Sequence, residues 1–137
     1  MKKAILAILA CLAITGCGDM TKSKAAAQAQ VSAFHELFND QDFTTMVDSA
    51  HPDMLKANPK PQLTKFYSVV RRKLGKVTAS ETAGWNVRTF NTVTTVVLVQ
   101  NTTFEEGKGR ETFTFRIKNE KASLLGYNIN SQDLIMK

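Results

Sequence analysis

The sequence predicts an α+β domain in which N-terminal helices pack on one face of an antiparallel sheet. Three observations carry this. Apolar residues recur at helical spacing up to Leu74. Gly75 then stops that rhythm, and from Trp85 onwards the apolar positions recur at every second residue. Turn signals at Glu105-Glu106-Gly107-Lys108-Gly109 and Asn119-Glu120 divide this half closely enough that neighbouring strands run antiparallel, so helices and strands are segregated along the chain.

The first helix is expected from Ala25. Ala25, Ala26, Ala27 and Ala29 favour helix, and Val31, Phe34, Leu37 and Phe38 share one face. Asn39-Asp40 ends it and can cap a short second helix from about Gln41 to Ser49, with Phe43, Met46 and Val47 on its apolar side. His51-Pro52-Asp53 reads as a break, and Pro59-Lys60-Pro61 as a further boundary. Pro61 suits the first turn of a third helix reaching Leu74, which buries Leu63, Phe66, Val69 or Val70, and Leu74.

Trp85 and Val87 alternate with Asn86 and Arg88, the first sign of a strand. Thr92 to Gln100 is dense in Val and Thr: Val93, Val97 and Val99 fall on one side, Val96 and Leu98 on the other. A strand apolar on both sides belongs at the centre of the sheet and needs cover on its second face, from a helix, a second subunit or a partner. From Arg110 to Lys118, Phe113, Phe115 and Ile117 face in while Thr112, Thr114, Arg116 and Lys118 face out, with Thr94, Val96 and Leu98 as candidates to lie beside that outward row. In the last strand, Leu125, Tyr127 and Ile129 share a face.

The N-terminus has a different character. Met1-Lys2-Lys3 is a charged start, Ala4 to Thr15 is apolar, and small residues precede Cys17, which is the layout of a secretory signal peptide. A dozen apolar residues fall well short of the roughly 20 needed to cross a bilayer as a helix. Ile14-Thr15-Gly16-Cys17 resembles the lipobox of bacterial lipoproteins, with Ile14 and Thr15 replacing commoner residues of the same type. The resemblance implies cleavage after Gly16, diacylglycerol on the sulfur of Cys17, and a fatty acyl group such as palmitate on the new amine. Residues 1–16 are then the signal peptide, 17–24 a lipidated tether, and 25–137 a single domain. Gly18 is not the Asp that resembles an inner-membrane retention signal, so the expected location is the outer membrane, facing the periplasm.

Of the two cysteines, Cys11 lies in the removed segment and Cys17 at the lipidation position. The mature domain therefore has no disulfide, thiol nucleophile or zinc thiolate site of its own. Removing residues 1–16 leaves 121 of the 137 residues, enough for one core, and removing Lys2 and Lys3 lowers the net charge from +6 to about +4. That excess is modest, and no nucleic-acid partner is expected in this compartment. Simple solubility accounts for the excess, and anionic headgroups or acidic envelope polymers are the partners it would otherwise match.

The order of elements is similar to the nuclear transport factor 2-like (cystatin-like) α+β superfamily. The resemblance rests on Phe34-His35-Glu36-Leu37-Phe38-Asn39-Asp40-Gln41-Asp42-Phe43, on Arg72-Lys73-Leu74-Gly75-Lys76-Val77 and on Leu125-Gly126-Tyr127-Asn128-Ile129. It implies a curved sheet around a helix, with a cone-shaped interior that is open in some members and filled in others. It carries over no catalytic residue, since members include isomerases, dehydratases, ligand binders and interaction modules.

Among candidate polar residues, His35 and Glu36 are adjacent and diverge on a helix, and neither His35 nor His51 has a ligand at i+4. Surface or capping roles are expected for them, with no metal site and no cofactor. Asp40, Asp42, Asp48 and Asp53 sit at helix starts and breaks, where Asp caps amides. Arg71-Arg72-Lys73 with Lys76 fits the last turn of a helix or a patch facing headgroups. Trp85, the one Trp, is expected in the core, with a binding hot spot as the alternative. The resulting expectation is a membrane-anchored envelope lipoprotein that binds an envelope protein or a small apolar ligand, with the sheet available for a homodimer. The alternatives are an isomerase- or dehydratase-type enzyme with a buried acid in the cone, and an inhibitor or immunity protein against an envelope hydrolase.

Overall fold

A computed structural model describes residues 18–137, so residues 1–16, expected to be a signal peptide, and Cys17 lie outside the described residues. The elements are α1 (Gly18–Asn39), α2 (Phe43–Asp48), α3 (Pro52–Ala57), α4 (Lys60–Leu74), β1 (Val77–Phe90), β2 (Val93–Phe104), β3 (Gly107–Lys118), β4 (Lys121–Asn130) and α5 (Gln132–Met136). The four strands form one curved antiparallel sheet in sequence order, with helices packed against it. No described helix is long and apolar enough to cross a membrane.

The core lies between the helices and one face of the sheet. Val96 and Leu98 of β2, Phe113 and Phe115 of β3, and Ala122 and Leu124 of β4 meet Ala27, Val31, Phe34 and Phe38 of α1. Met46 and Val47 of α2 close one flank, and Leu63, Tyr67, Val70 and Leu74 of α4 close the other. Phe34 is the hub, with its ring edge-on to Tyr67 and Phe113 at centroid distances of 5.4 and 5.0 Å.

Several boundaries differ from the sequence reading. The polar stretch expected to be a tether is helical, and α1 runs without interruption from Gly18, with Asp19 in its first turn where a carboxylate complements the helix dipole. His51-Pro52-Asp53 is a helix start as well as a break: the His51 ring accepts from the Asp53 amide, and Pro52 occupies the first turn of α3. Ser131 likewise caps the unforeseen α5, accepting from the Leu134 amide.

Bulges occur in the two edge strands, at Thr78 and Ala83 of β1 and at Leu125 of β4, while β2 and β3 pair without interruption. The β4 bulge corrects one facing assignment. Phe115 pairs with Leu124 and Thr114 with Gly126, leaving Leu125 as the extra residue, so Leu124 joins Tyr127 and Ile129 on the covered face. The Val96 and Leu98 side chains lie fully buried on that face too, and the outward neighbours of Thr112 and Thr114 are Val99 and Val97. Trp85 is not in the core: it is 48% exposed on edge strand β1, with the Lys24 ammonium 4.5 Å above its ring.

α1 spans the length of the sheet, about 33 Å for 22 helical residues. At its C-terminal end the Asn39 side chain donates to the Val77 carbonyl (3.1 Å) and accepts from the Val77 amide (2.8 Å), while Arg71 donates to the Asn39 carbonyl. At its N-terminal end Lys22 approaches Glu120 in the β3–β4 turn at 3.9 Å. Gly75 has φ 76°, and a Cβ there would come within 2.9 Å of Glu105, whose carboxylate accepts from the Lys76 amide at 2.7 Å. The α4–β1 junction is thereby fastened to the β2–β3 turn.

Candidate functional site

One acid faces the interior. Glu111 occupies the β3 position two residues before Phe113, so the alternation that buries Phe113 and Phe115 buries Glu111 as well, leaving it 1% exposed. Three elements bring donors to it. His35 descends from α1 with Nε2 2.8 Å from one carboxylate oxygen, and the Thr102 hydroxyl of β2 donates to the same oxygen at 2.6 Å. The Tyr127 hydroxyl of β4 donates to the other oxygen at 2.5 Å. Three donors converging on an acceptor at these lengths make a well-satisfied carboxylate site. With Glu111 accepting, the His35 Nε2 carries the hydrogen.

The network continues outward through β2 and β1. Thr102 has committed its proton to Glu111, so it only accepts from Ser80, 3.0 Å away, whose single hydroxyl proton is shared between Thr102 and Gln100. The buried Gln100 accepts from Ser80 at 3.2 Å and donates to Thr82 at 3.0 Å, and Thr82 in turn accepts from Gln28 of α1. Hydrogen bonds thus link the exposed edge strand to the buried acid. Burial, reinforced by the negative charge of Glu111, pushes the Tyr127 phenol well above its ordinary range and keeps it a donor. Burial also raises Tyr67, a residue 1% exposed in the aromatic cluster, whose hydroxyl has no hydrogen-bond partner among the described residues.

Chemically, this carboxylate, imidazole and phenol form an acid–base set whose carboxylate is 1% exposed. The cavity inside the core, between α1, α2 and the β3–β4 pair, is about 30 Å³. The large concavity lies elsewhere, an open groove of about 880 Å³ across the end of the sheet by the β2–β3 turn. Its floor includes the cross-strand row Glu81, Asn101, Arg110 and Asn130, with Lys108 in the next row and Gln132 and Asp133 of α5 at one side. Asp133 is engaged by the Lys108 amide at 3.0 Å. Ser80 and Thr102 belong both to this groove and to the Glu111 network.

The residues singled out in the sequence sort clearly. Asp42 caps α2, accepting from the Thr45 amide and hydroxyl, and those bonds lower its carboxyl below the usual range. Asp53 lies in the first turn of α3 near Lys56, Asp48 pairs with Lys60 at 2.9 Å, and Asp40 is exposed just past α1. Arg71 and Lys73 spend their charges on the Asn39 and Leu134 carbonyls, tying α4 to α1 and α5. His51 is a cap, as expected, but His35 is not a surface residue: it is buried against Glu111, 76 positions away. Among the described residues no group of three or more His, Cys, Asp or Glu could hold a metal ion. The Glu111 cluster was missed, although an acid in phase with Phe113 and Phe115 was its signal.

No protein-family profile matches the sequence, and no curated protein matches it. Among solved structures the chain is similar to a variant of Rv3472, described as a protein of unknown function from Mycobacterium tuberculosis. That likeness has a TM-score of 0.58 at 11% identity and covers 83% of this chain and 74% of the other. It is a likeness of fold.

Proposed function

We propose that this protein is a lipid-anchored binding module of the bacterial cell envelope. Cys17 holds it at the outer membrane, facing the periplasm, and it captures an envelope protein rather than turning over a substrate. The observation that carries the reading is the enclosure of Glu111: the inward acid of the cone is 1% exposed and already accepts from His35, Thr102 and Tyr127. An isomerase or dehydratase of the kind found in the nuclear transport factor 2-like superfamily would need that carboxylate free to meet a substrate. The gap of about 30 Å³ beside Phe34, Leu37, Met46 and Leu124 is itself too small for an apolar ligand. The groove of about 880 Å³, with Glu81, Lys108 and Arg110 beside three amide side chains, offers the polar surface that a protein rim contact uses.

The test is site-specific photocrosslinking of the full chain in intact bacteria, with the reactive group at Arg110 in the groove or at Lys65 on the exposed side of α4. One discrete protein adduct from Arg110 and none from Lys65 supports the reading. Absence of an adduct from Arg110, or equal adducts from both positions, overturns it. Incorporation of labelled palmitate that disappears in Cys17→Ala is expected in parallel.

A further inference from the structure

We infer that the end of the domain formed by the first turns of α1 and the β1–β2 and β3–β4 turns is a docking face for anionic phospholipid headgroups. It sets the domain upright on the bilayer, with the groove directed away from it. This rests on lipidation of Cys17 and adds an orientation to it. Cys17 is one peptide, about 3.8 Å between Cα atoms, from Gly18, where α1 is already helical. α1 is not a loose linker, because Ala27 and Val31 are buried in the core and Asn39 is bonded to Val77 at its far end. An acyl chain on Cys17 therefore brings this end of the sheet, and not the opposite one, to the membrane surface.

The side chains at that end suit such a surface. Phe90 and Val93 face each other across the β1–β2 turn and are 73% and 41% exposed, and Met20 in the first turns of α1 is also exposed. Around them stand Lys22, Arg88, Lys118 and Lys121, against Asp19 and Glu120. Lys118 and Lys121 are direct cross-strand partners, and like charges so placed repel unless an anion lies over them. Apolar tips ringed by an excess of cations match the headgroup boundary of an anionic bilayer. The groove residues Thr103, Lys108 and Asn130 occupy the opposite ends of the same strands, which puts them roughly 30 Å from the bilayer by strand rise.

The experiment uses the full-length lipidated protein in vesicles of phosphatidylglycerol and phosphatidylcholine carrying headgroup nitroxides. Cys11 and Cys17 are the sequence's only cysteines, so an introduced cysteine becomes the one free thiol of the mature chain. A fluorophore at Asn91→Cys, on the β1–β2 turn, is expected to be quenched several-fold more than one at Gln132→Cys beside the groove. The difference should shrink in Lys118→Glu/Lys121→Glu, in Phe90→Ser, and in vesicles without the anionic lipid. Equal quenching at both sites, with acyl mass present on the protein, overturns the docking face and leaves the anchor standing. Absence of acyl mass removes the anchor itself and the docking face with it. Shielding of Asn91→Cys in intact cells but not on vesicles overturns the proposal in favour of a protein on this tip.

Discussion

Two neighbouring bands of the same sheet face hold the molecule together in different ways. In one band Val96, Leu98, Phe113, Phe115 and Leu124 pack against Phe34 and Tyr67. In the next, Gln100, Thr102 and Glu111 are just as buried but are joined by directed bonds to Ser80, Thr82, His35 and Tyr127. The apolar band depends on volume, so any well-fitting hydrocarbon serves. The polar band depends on partners: removing one group leaves the others buried with nothing to bond, and that loss outweighs the modest net value of each bond made.

The largest effects should come from the centre of each band. Phe113→Ala is expected to cost about 3–5 kcal/mol through the cavity it leaves, and Glu111→Ala a similar amount through three stranded donors. Chemical denaturation midpoints with unchanged slopes would show both. The two causes separate in the double variant His35→Leu/Glu111→Leu, which should be more stable than Glu111→Ala, because replacing both partners of a buried hydrogen-bonded pair by hydrocarbon is far gentler than removing one of them. A double variant no better than the single one would break the distinction between the bands.

The two tyrosines of the aromatic cluster sharpen the comparison at smaller magnitude. Tyr127→Phe removes a donor to Glu111 and should cost about 1.5–3 kcal/mol. Tyr67→Phe removes a hydroxyl that has no partner among the described residues, and its stability should stay within about 0.5 kcal/mol of the parent or rise slightly. Both phenols are raised above the ordinary value of 10.0, so the folded state holds their protons more tightly than the unfolded chain. The stability they contribute is complete below about pH 10 and is lost as pH climbs towards their folded values. Unfolding free energies measured from about pH 8 to pH 11 should therefore fall steeply for the parent and less steeply for Tyr67→Phe/Tyr127→Phe.

The apolar band was legible in the sequence and the polar band was not. Phe113, Phe115 and Ile117 announce their face by alternation, and Phe34 and Phe38 by helical spacing, because burial of hydrocarbon leaves a periodic trace. Glu111, Thr102 and Gln100 continue the same alternations, but polar residues at inward positions carry no trace of what they bond to. The pairing of His35 with Glu111 joins residues 76 positions apart and exists only once α1 is laid across the sheet. Trp85 was misplaced because its residue type suits a core, while its position on a bulged edge strand half exposes it. Leu125 was misplaced because a strict period of two cannot register one additional residue.

That additional residue has a consequence for how this protein can vary. β4 is one residue longer than its pairing requires, so deleting Leu125 would keep Leu124, Tyr127 and Ile129 facing inward and would regularise the ladder instead of inverting it. Local twist, which bulges supply, would be lost, and the sheet would relax its wrap around α1. Natural and engineered length changes should therefore be absorbed at Ser123 to Gly126, where a missing residue alters the curvature of the shell while its lining stays the same.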